Sequence, residues 1–230
     1  MNRLKHSTQV SDSLGLGLLL TLSGGFMDAY SYLFRGKVFA NAQTGNILLL
    51  GINIFEGQWE NTIKYLIPII AFSIGIAIAD IVRRKLKERK SIHWRQIAIV
   101  TEAMILLLVG FLPQELNLVA NSLISLVCGL QIESFKKIRG LGAATTMCVG
   151  NLRYATEWLC EYAYTKNQDA IEKGWLYLAV ILFFVFGAII GSICIKYLGQ
   201  YSIFICSMIL IVGFISMFYD KEKIMQSKQE

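Results

Sequence analysis

The sequence predicts an all-α polytopic membrane protein with about six transmembrane helices, two broken or re-entrant segments and an internal twofold repeat. Three observations support this prediction. First, the 230 residues are 55% hydrophobic with a mean hydropathy of +0.53, which is more apolar surface than one soluble core of this length can bury. Second, several apolar stretches approach the ~20 residues that a helix needs to cross a bilayer. Third, an acidic residue followed by a Gly-Asn pair occurs twice with the same spacing.

The repeat is defined by residues that coincide when the sequence is shifted by 105 positions. The acids and the Gly-Asn pairs match in this way: Asp28 with Glu133, Gly45 with Gly150, and Asn46 with Asn151. Internal symmetry with polar residues at membrane depth is typical of secondary transporters and channels. We therefore expect one integral membrane domain over 1–230, with repeat one at about 14–112 and repeat two at about 116–218.

Six apolar stretches qualify as complete spans. They are 14–33, 62–82, 94–112, 116–135, 176–197 and 203–218. The first follows Arg3 and Lys5, as a signal peptide would, but it is too long for that role and ends without a small-residue cleavage site. It is therefore interpreted as the first span.

Two further stretches, 38–55 and 143–163, carry the Gly-Asn pairs and too many polar residues to face lipid. Lys and Arg concentrate in cytoplasmic loops, which allows the alternatives to be compared. If both stretches enter and return on one side, 18 of the 22 basic residues are cytoplasmic, whereas two full crossings would leave 13 inside. The count favours six spans with two re-entrant segments. Three spans per half would make the repeats inverted.

In the first segment, 36–43 is predicted to be extended, with Thr44 as the N-cap of a short helix. The free N–H groups at such a helix start attract a carboxylate, and Asp28 is the nearest one. Glu133 is expected to do the same for a helix that begins near Gly150. Either these acids only cap broken helices, or they titrate or bind a cation during transport. The predicted binding residues are Asp28, Asn41, Gln43, Thr44, Gly45, Asn46, Glu133, Gly150 and Asn151.

Other ionisable residues are weaker candidates. Asp80 lies within one turn of Arg83 and can pair with it locally, and Glu102 lies inside an apolar stretch. Arg153 and Glu157 have the i,i+4 spacing of an ion pair on a helix.

Several classes of function are disfavoured. The sequence has no cluster with metal-ligand spacing, no phosphate-binding glycine loop and no nucleophile motif, so neither an enzyme, a metal nor a cofactor is predicted. The formal charge of +6 comes from short basic blocks between apolar stretches, which fits a membrane protein rather than nucleic-acid binding. The expected partners are the lipid bilayer and a small solute or proton. Whether the chain forms a homo-oligomer is open.

The motif around Asp28 also resembles a known family. A Gly-x-x-Asp pattern ending at Asp28, then Val38-Phe39, then Thr44-Gly45-Asn46 is similar to the YoaK-like family of bacterial multipass membrane proteins, a domain of unknown function. Glu133 with Val149-Gly150-Asn151 fits the second half of that family's layout. The resemblance implies a bacterial cytoplasmic (inner) membrane protein of about six spans, and it implies no substrate.

Two hypotheses for function follow. In the first, the protein is a transporter or channel for a small polar solute, with a site near the bilayer midplane formed by the acids and the paired helix starts. In the second, it is a non-transporting scaffold or regulatory protein, in which the same residues hold broken helices together.

Overall fold

The computed structural model describes residues 13–86 and 94–226, with side chains described as far as 217. Its eight α-helices in these ranges are α1 (Leu14–Leu33), α2 (Gln43–Phe55), α3 (Trp59–Leu86), α4 (Trp94–Gly110), α5 (Asn117–Ser134), α6 (Cys148–Thr165), α7 (Gln168–Leu198) and α8 (Ile203–Gln226). Short 3-10 helices at Gln114–Leu116 and Gly199–Ser202 precede α5 and α8. The prediction of a helical fold is confirmed.

One small β-hairpin departs from the all-α prediction. Strands β1 (Lys137–Ile138) and β2 (Leu141–Gly142) pair antiparallel. Between them, Arg139 and Gly140 both have positive φ angles, 51° and 79°. Two consecutive residues of this kind are what a tight two-residue hairpin turn requires. The Arg-Gly pair is therefore the local cause of the hairpin.

The distribution of apolar and ionisable side chains indicates that the helices lie in a lipid bilayer. Three helical stretches of the described residues are long and apolar enough to cross a membrane, namely Trp59–Leu86, Gln114–Ser134 and Gln168–Met217. On α3 the exposed side chains include a row of isoleucines: Ile63, Ile67, Ile70, Ile74, Ile78 and Ile81. Meanwhile ionisable side chains such as Arg35 and Glu102 are fully buried. Apolar residues outside and ionisable residues inside are the arrangement expected in lipid.

The helix contacts occur in corresponding pairs. Helix α3 packs along α5 as α1 packs along α7, and α2 packs on α3 as α6 packs on α7. In the same way α4 contacts α5, and α8 contacts α1, while α4 and α8 contact each other. Such pairing is what a twofold repeat of α1–α4 and α5–α8 would produce.

Glycines set the distance in the two largest contacts. A Cβ on Gly25 would strike the carbonyl oxygen of Phe184, and a Cβ on Gly129 would strike that of Phe72. These obstacles are backbone atoms, so the helices could not retain their separation with a larger residue. The two glycines that make this contact, Gly25 and Gly129, are 104 positions apart. The shift of 105 that relates the acids and the Gly-Asn pairs would instead match Gly24 with Gly129.

The core lies among α1, α4, α5 and α8. Its fully buried side chains include Leu20, Phe26, Leu106, Ile124 and Leu210. A second, smaller cluster lies under α6, against the hairpin and α7. Helix α1 contacts α5, α7 and α8 and carries Asp28 into the middle of the bundle.

Contacts near the ends of α1 and α5 show how these two helices run relative to each other. At one end of the bundle, the chain just after α1 meets the first turns of α5, because Asn121 donates a hydrogen bond of 2.7 Å to the carbonyl oxygen of Arg35. At the other end, Ile138, just after α5, packs on Gly17 in the first turn of α1. Helices α1 and α5 therefore run antiparallel.

Candidate functional site

Asp28 contacts the start of α2. This residue is 9% exposed, and its Oδ1 accepts a hydrogen bond of 2.7 Å from the backbone N–H of Asn41. The N–H groups of Ala40 and Ala42 also interact with the carboxylate. These donors belong to the chain just before α2, and backbone N–H groups that point at a carboxylate stabilise its negative charge. Asp28 therefore lies close to the start of the first Gly-Asn helix, as the sequence predicts, but its hydrogen bond comes from Asn41, before the helix, and not from the helix N–H groups.

Asn46 joins α2 to the extended chain before it. It is fully buried, accepts from the backbone N–H of Phe39 at 3.0 Å and donates to the carbonyl oxygen of the same residue at 2.7 Å. It also donates to Gln43 Oε1 at 3.0 Å. A Cβ on Gly45 would lie 2.9 Å from the Phe39 ring. Three predicted residues, Gln43, Gly45 and Asn46, thus position the extended segment rather than point into open space.

The predicted N-cap at Thr44 is wrong. Helix α2 begins at Gln43, so its N-cap residue is Ala42, and among the described residues no side chain of this N-cap accepts a helix N–H. Thr44 is exposed. The N–H of Gly45, which a capping side chain could accept, instead donates to the carbonyl oxygen of Ala42 at 2.9 Å, while Asp28 accepts from the chain just before the helix.

The asparagine of the second Gly-Asn segment makes a hydrogen bond like that of the asparagine in the first. Asn151 is buried and donates to the carbonyl oxygens of Ala144 at 2.7 Å and Met147 at 2.9 Å. Ala144 lies seven residues before Asn151, as Phe39 lies seven before Asn46. Helix α6 begins at Cys148, close to the predicted start near Gly150. Gly150 itself is exposed, and a Cβ there would meet nothing within 4 Å, so its packing does not match that of Gly45.

The two segments converge on Gly24, in the middle of α1. Asn41 of the first segment donates a side-chain hydrogen bond of 2.9 Å to the carbonyl oxygen of Gly24. From the second segment, the Thr145 carbonyl oxygen and the Thr146 side chain lie 3.2 and 3.4 Å from a Cβ placed on Gly24. One glycine therefore contacts both segments.

Hydrogen-bonding capacity remains unused at this meeting point. Asn41 and Thr146 are 2% and 1% exposed, and neither Asn41 Oδ1 nor Thr146 Oγ1 has a partner among the described residues. Cys148, the first residue of α6, interacts electrostatically with Asp28. The Asp28 carboxylate thus lies near the starts of both short helices.

Glu133 does not have an equivalent environment. Its carboxylate forms an ion pair with Lys136 and lies 3.8 Å from an Arg83 nitrogen. The expectation that it contacts the start of α6 is wrong. The shift of 104 explains the difference, since one residue turns a helical side chain by about 100°. Glu133 is therefore not on the face that corresponds to that of Asp28.

Two weaker predictions concerned local ion pairs, and both are confirmed. Asp80 pairs with Arg83, and with Arg84 at 2.7 Å. Arg153 pairs with Glu157 at 2.8 Å, one turn along α6. Both pairs involve partly exposed side chains, so we expect them to contribute little stability.

Arg35 is a central residue that the sequence analysis missed. It is fully buried, and its guanidinium donates to Tyr30 Oη and to carbonyl oxygens at the end of α4, including those of Val109 at 3.0 Å and Leu112 at 2.8 Å. The carbonyl end of a helix favours a cation. In the sequence, Arg35 has the position of an ordinary loop residue, so no pattern distinguished it.

Gln131 is a second missed residue, in α5. Its Nε2 donates to the Leu20 carbonyl oxygen at 2.9 Å and to Thr145 Oγ1 at 3.3 Å, so it ties the second segment to α1. An amide in this position, rather than an acid, holds that segment. The sequence signal that could have found it is a polar residue inside an apolar stretch, next to the acid that drew attention instead.

Among the described residues, no group of three or more His, Cys, Asp or Glu side chains is arranged to hold a metal ion.

Apolar helices with an aliphatic outer surface and buried ionisable groups define the class: an α-helical membrane protein. The chain belongs to the family described as "Protein of unknown function (DUF1275)", whose sequence model matches residues 16–216. It is 29% identical over 188 residues to the UPF0700 transmembrane protein YoaK of Bacillus subtilis (strain 168), covering 76% of this chain and 80% of that protein. No solved structure matches the chain. The predicted YoaK-like family is confirmed.

Proposed function

We propose that this protein transports a small polar solute, which binds near the bilayer midplane where the two Gly-Asn segments meet. The observation that carries the proposal is the convergence of both segments on Gly24, where Asn41 and Thr146 have buried polar atoms without a partner among the described residues. Non-helical backbone at membrane depth is tolerated only inside protein or beside a watery cavity. Discontinuous helices of this kind form substrate sites in secondary transporters.

The first segment fits a re-entrant path. From the end of α1 at Leu33, the chain returns to the level of Gly24, which is nine residues or about 14 Å back along the helix. Helix α2 then leads to α3, and Lys64 in the second turn of α3 lies near Gly36, close to where the segment started. Entry and exit at the same end of the bundle support a segment that dips in and returns.

The second segment has the same path from the opposite end. It follows α5 through the hairpin, where Ile138 packs on Gly17 in the first turn of α1. The chain reaches mid-depth at Thr145, and α6 then leads to α7, where Tyr177 Oη donates a 2.9 Å hydrogen bond to Gly142 in the hairpin. Opposite entry sides support an inverted repeat.

The helices other than α2 and α6 are long enough to form the crossings of the proposed topology. The stretch Gln168–Met217 contains 50 residues, or about 75 Å of helix, more than twice the ~30 Å hydrocarbon layer. The 3-10 helix at Gly199–Ser202 divides it into two crossings, α7 and α8. Together with α3, α5, α1 and α4, the last two having 20 and 17 residues, they would supply the six crossings of the proposed topology.

The groups at the meeting point suit a small, uncharged or zwitterionic polar solute. Asn41 Oδ1 can accept a hydrogen bond and the Thr146 hydroxyl can donate or accept one. The Asp28 carboxyl group, which accepts a backbone hydrogen bond from Asn41, lies beside them. A few placed polar groups in a mostly apolar surround are the usual composition of a ligand site.

The test begins with thermal unfolding of the purified protein in the presence of a panel of neutral amino acids, polyols and nucleosides. Solutes that raise the melting temperature are then followed as radiolabelled flux into proteoliposomes. We expect Asp28→Asn and Thr146→Val to lower that flux at least tenfold, about the loss of one well-placed hydrogen bond. Asn61→Ala, which removes only an exposed hydrogen bond to Gln58, is the control and should leave the flux unchanged. Unchanged flux in both site variants would rule out this site.

A scaffold is the second candidate, because the Asp28 carboxylate is already satisfied by N–H groups of the chain just before α2. In that case no solute of the panel raises the melting temperature, and Asp28→Asn lowers stability without any other phenotype. A cross-linking experiment in membranes, which asks whether the protein is held in a stable complex, then becomes the informative measurement.

A further inference from the structure

Glu102 is a buried carboxyl group to which the proposed solute site assigns no role. It is the ninth residue of the seventeen-residue α4, about 12 Å from either helix end. Its exposed fraction is 0%, and neither carboxyl oxygen has a hydrogen-bond partner among the described residues. The neighbouring buried residues of the same helix face are apolar, including Ile99 and Leu106. An ionised carboxylate in such surroundings is very costly unless it is paired.

The titratable groups that interact with Glu102 from the helices packed against α4 are two thiols. Cys206 of α8 and Cys128 of α5 both interact electrostatically with Glu102. Cys128 interacts with Asp28 as well, so one thiol lies near both carboxyl groups.

No described cation is paired with Glu102. On α3, which also packs on α4, the charged residues lie in the end regions: Glu60 and Lys64 near the start, and Asp80, Arg83, Arg84 and Lys85 near the other end. The 3-10 helix before α8 contributes the exposed Tyr201. The guanidinium of Arg35 donates its hydrogen bonds to the carbonyl oxygens of Val109 and Leu112, two turns or more beyond Glu102.

We propose that Glu102 binds a proton in the closed bundle and releases it when the core opens to water, so that the proton is the coupling ion of the transport proposed above. The coupling role of the proton rests on that proposed function. The protonation of Glu102 rests only on its burial and on the lack of a partner among the described residues. In the closed state the carboxyl group is neutral, which removes the cost of a buried charge. When water reaches α4, the O–H bond breaks, the proton passes to water and the carboxylate is hydrated.

A proton is favoured over a metal cation because the described residues around Glu102 do not form a ligand set. Ser125, on the same face of α5 as Cys128, also has an unpartnered hydroxyl, which is a polar group that water would contact on opening. Retention of an unpaired acid in a core position is a cost to stability that an apolar residue would avoid.

The experiment is infrared spectroscopy of the purified full-length protein in lipid nanodiscs during a pH titration. We expect wild-type protein at neutral pH to show the carbonyl-stretch band of a protonated carboxylic acid. The band should be absent from Glu102→Gln, a neutral isostere, and present in Glu60→Gln, which changes an exposed acid. Asp28→Asn should also retain it.

Two outcomes would overturn the assignment without reference to any solute. One is the absence of the band from the wild-type protein at neutral pH, which needs no variant to fold. The other is removal of the band when sodium chloride replaces choline chloride at constant pH, which would indicate a cation site. If the band behaves as expected but no solute is transported, the transport proposal fails and the protonated Glu102 stands.

The coupling is tested with whichever solute gives flux in proteoliposomes. An imposed pH gradient should change the wild-type flux at least tenfold and leave the flux of Glu102→Gln unchanged. Equal responses of the two proteins would overturn the coupling role.

Discussion

Substitution of Asn46 by alanine tests how the first segment is held. The change removes three hydrogen bonds: from the Phe39 N–H at 3.0 Å, to the Phe39 carbonyl oxygen at 2.7 Å and to Gln43 Oε1 at 3.0 Å. Gln43 retains its own bond to Ala40, so the loss concerns mainly the connection between α2 and the extended chain.

The expected loss in the free energy of unfolding is about 2 kcal/mol. Side-chain hydrogen bonds inside membrane proteins average about 0.6 kcal/mol, and three of them are lost. The Phe39 N–H is left without its partner, which makes this value a lower bound. A loss of about 2 kcal/mol lowers the folding equilibrium constant roughly thirtyfold.

The assay is reversible unfolding of the purified protein in mixed detergent and lipid, with Asn61→Ala as the matched control. Asn61 makes one exposed hydrogen bond, so its loss should be below about 0.5 kcal/mol. If Asn46→Ala is no less stable than the control, the extended segment is not held by this side chain, and the reasoning on the Gly-Asn segments is refuted.

Further predictions use the same assay. Gly129→Ala should lower the free energy of unfolding by about 1–3 kcal/mol, because the added methyl group meets the Phe72 carbonyl oxygen. Gly51→Ala, with open space around the added methyl group, should be neutral or stabilising. Equal effects of the two changes would refute the close contact. Arg35→Lys should lose about 2–3 kcal/mol, since an ammonium cannot reproduce the guanidinium contacts, and a neutral result would show that this residue does not tie the helix ends together. Arg153→Ala, at an exposed ion pair, should leave the unfolding midpoint unchanged, and a clear shift would contradict the weak contribution expected of that pair.

Apolar patterning was sufficient to locate the helices. The stretch 14–33 coincides with α1, and 116–135 differs from α5 by one residue at each end. Composition also indicated that the two Gly-Asn stretches are irregular before they become helical. Such features are local, so a single sequence contains them.

The environment of each polar residue was harder to predict, because it depends on contacts between distant helices. Asp28 was placed correctly at the start of α2, since only a short connection separates them. Glu133 was misplaced because a difference of one residue between the shifts 104 and 105 rotates the side chain to another face. Arg35 was missed because its burial results from the meeting of α1, α4 and α5, which no local pattern records.

The most direct test of the account is the topology of its two re-entrant segments. Lys37 follows α1 and Lys137 follows α5, and both are exposed, so Lys37→Cys and Lys137→Cys can be introduced singly into a cysteine-free protein. A membrane-impermeant thiol reagent should label position 37 in intact cells, and position 137 only after permeabilisation. Labelling of both positions in intact cells, or of neither before permeabilisation, would place the two segments on one side of the membrane and contradict the inverted repeat and its midplane site.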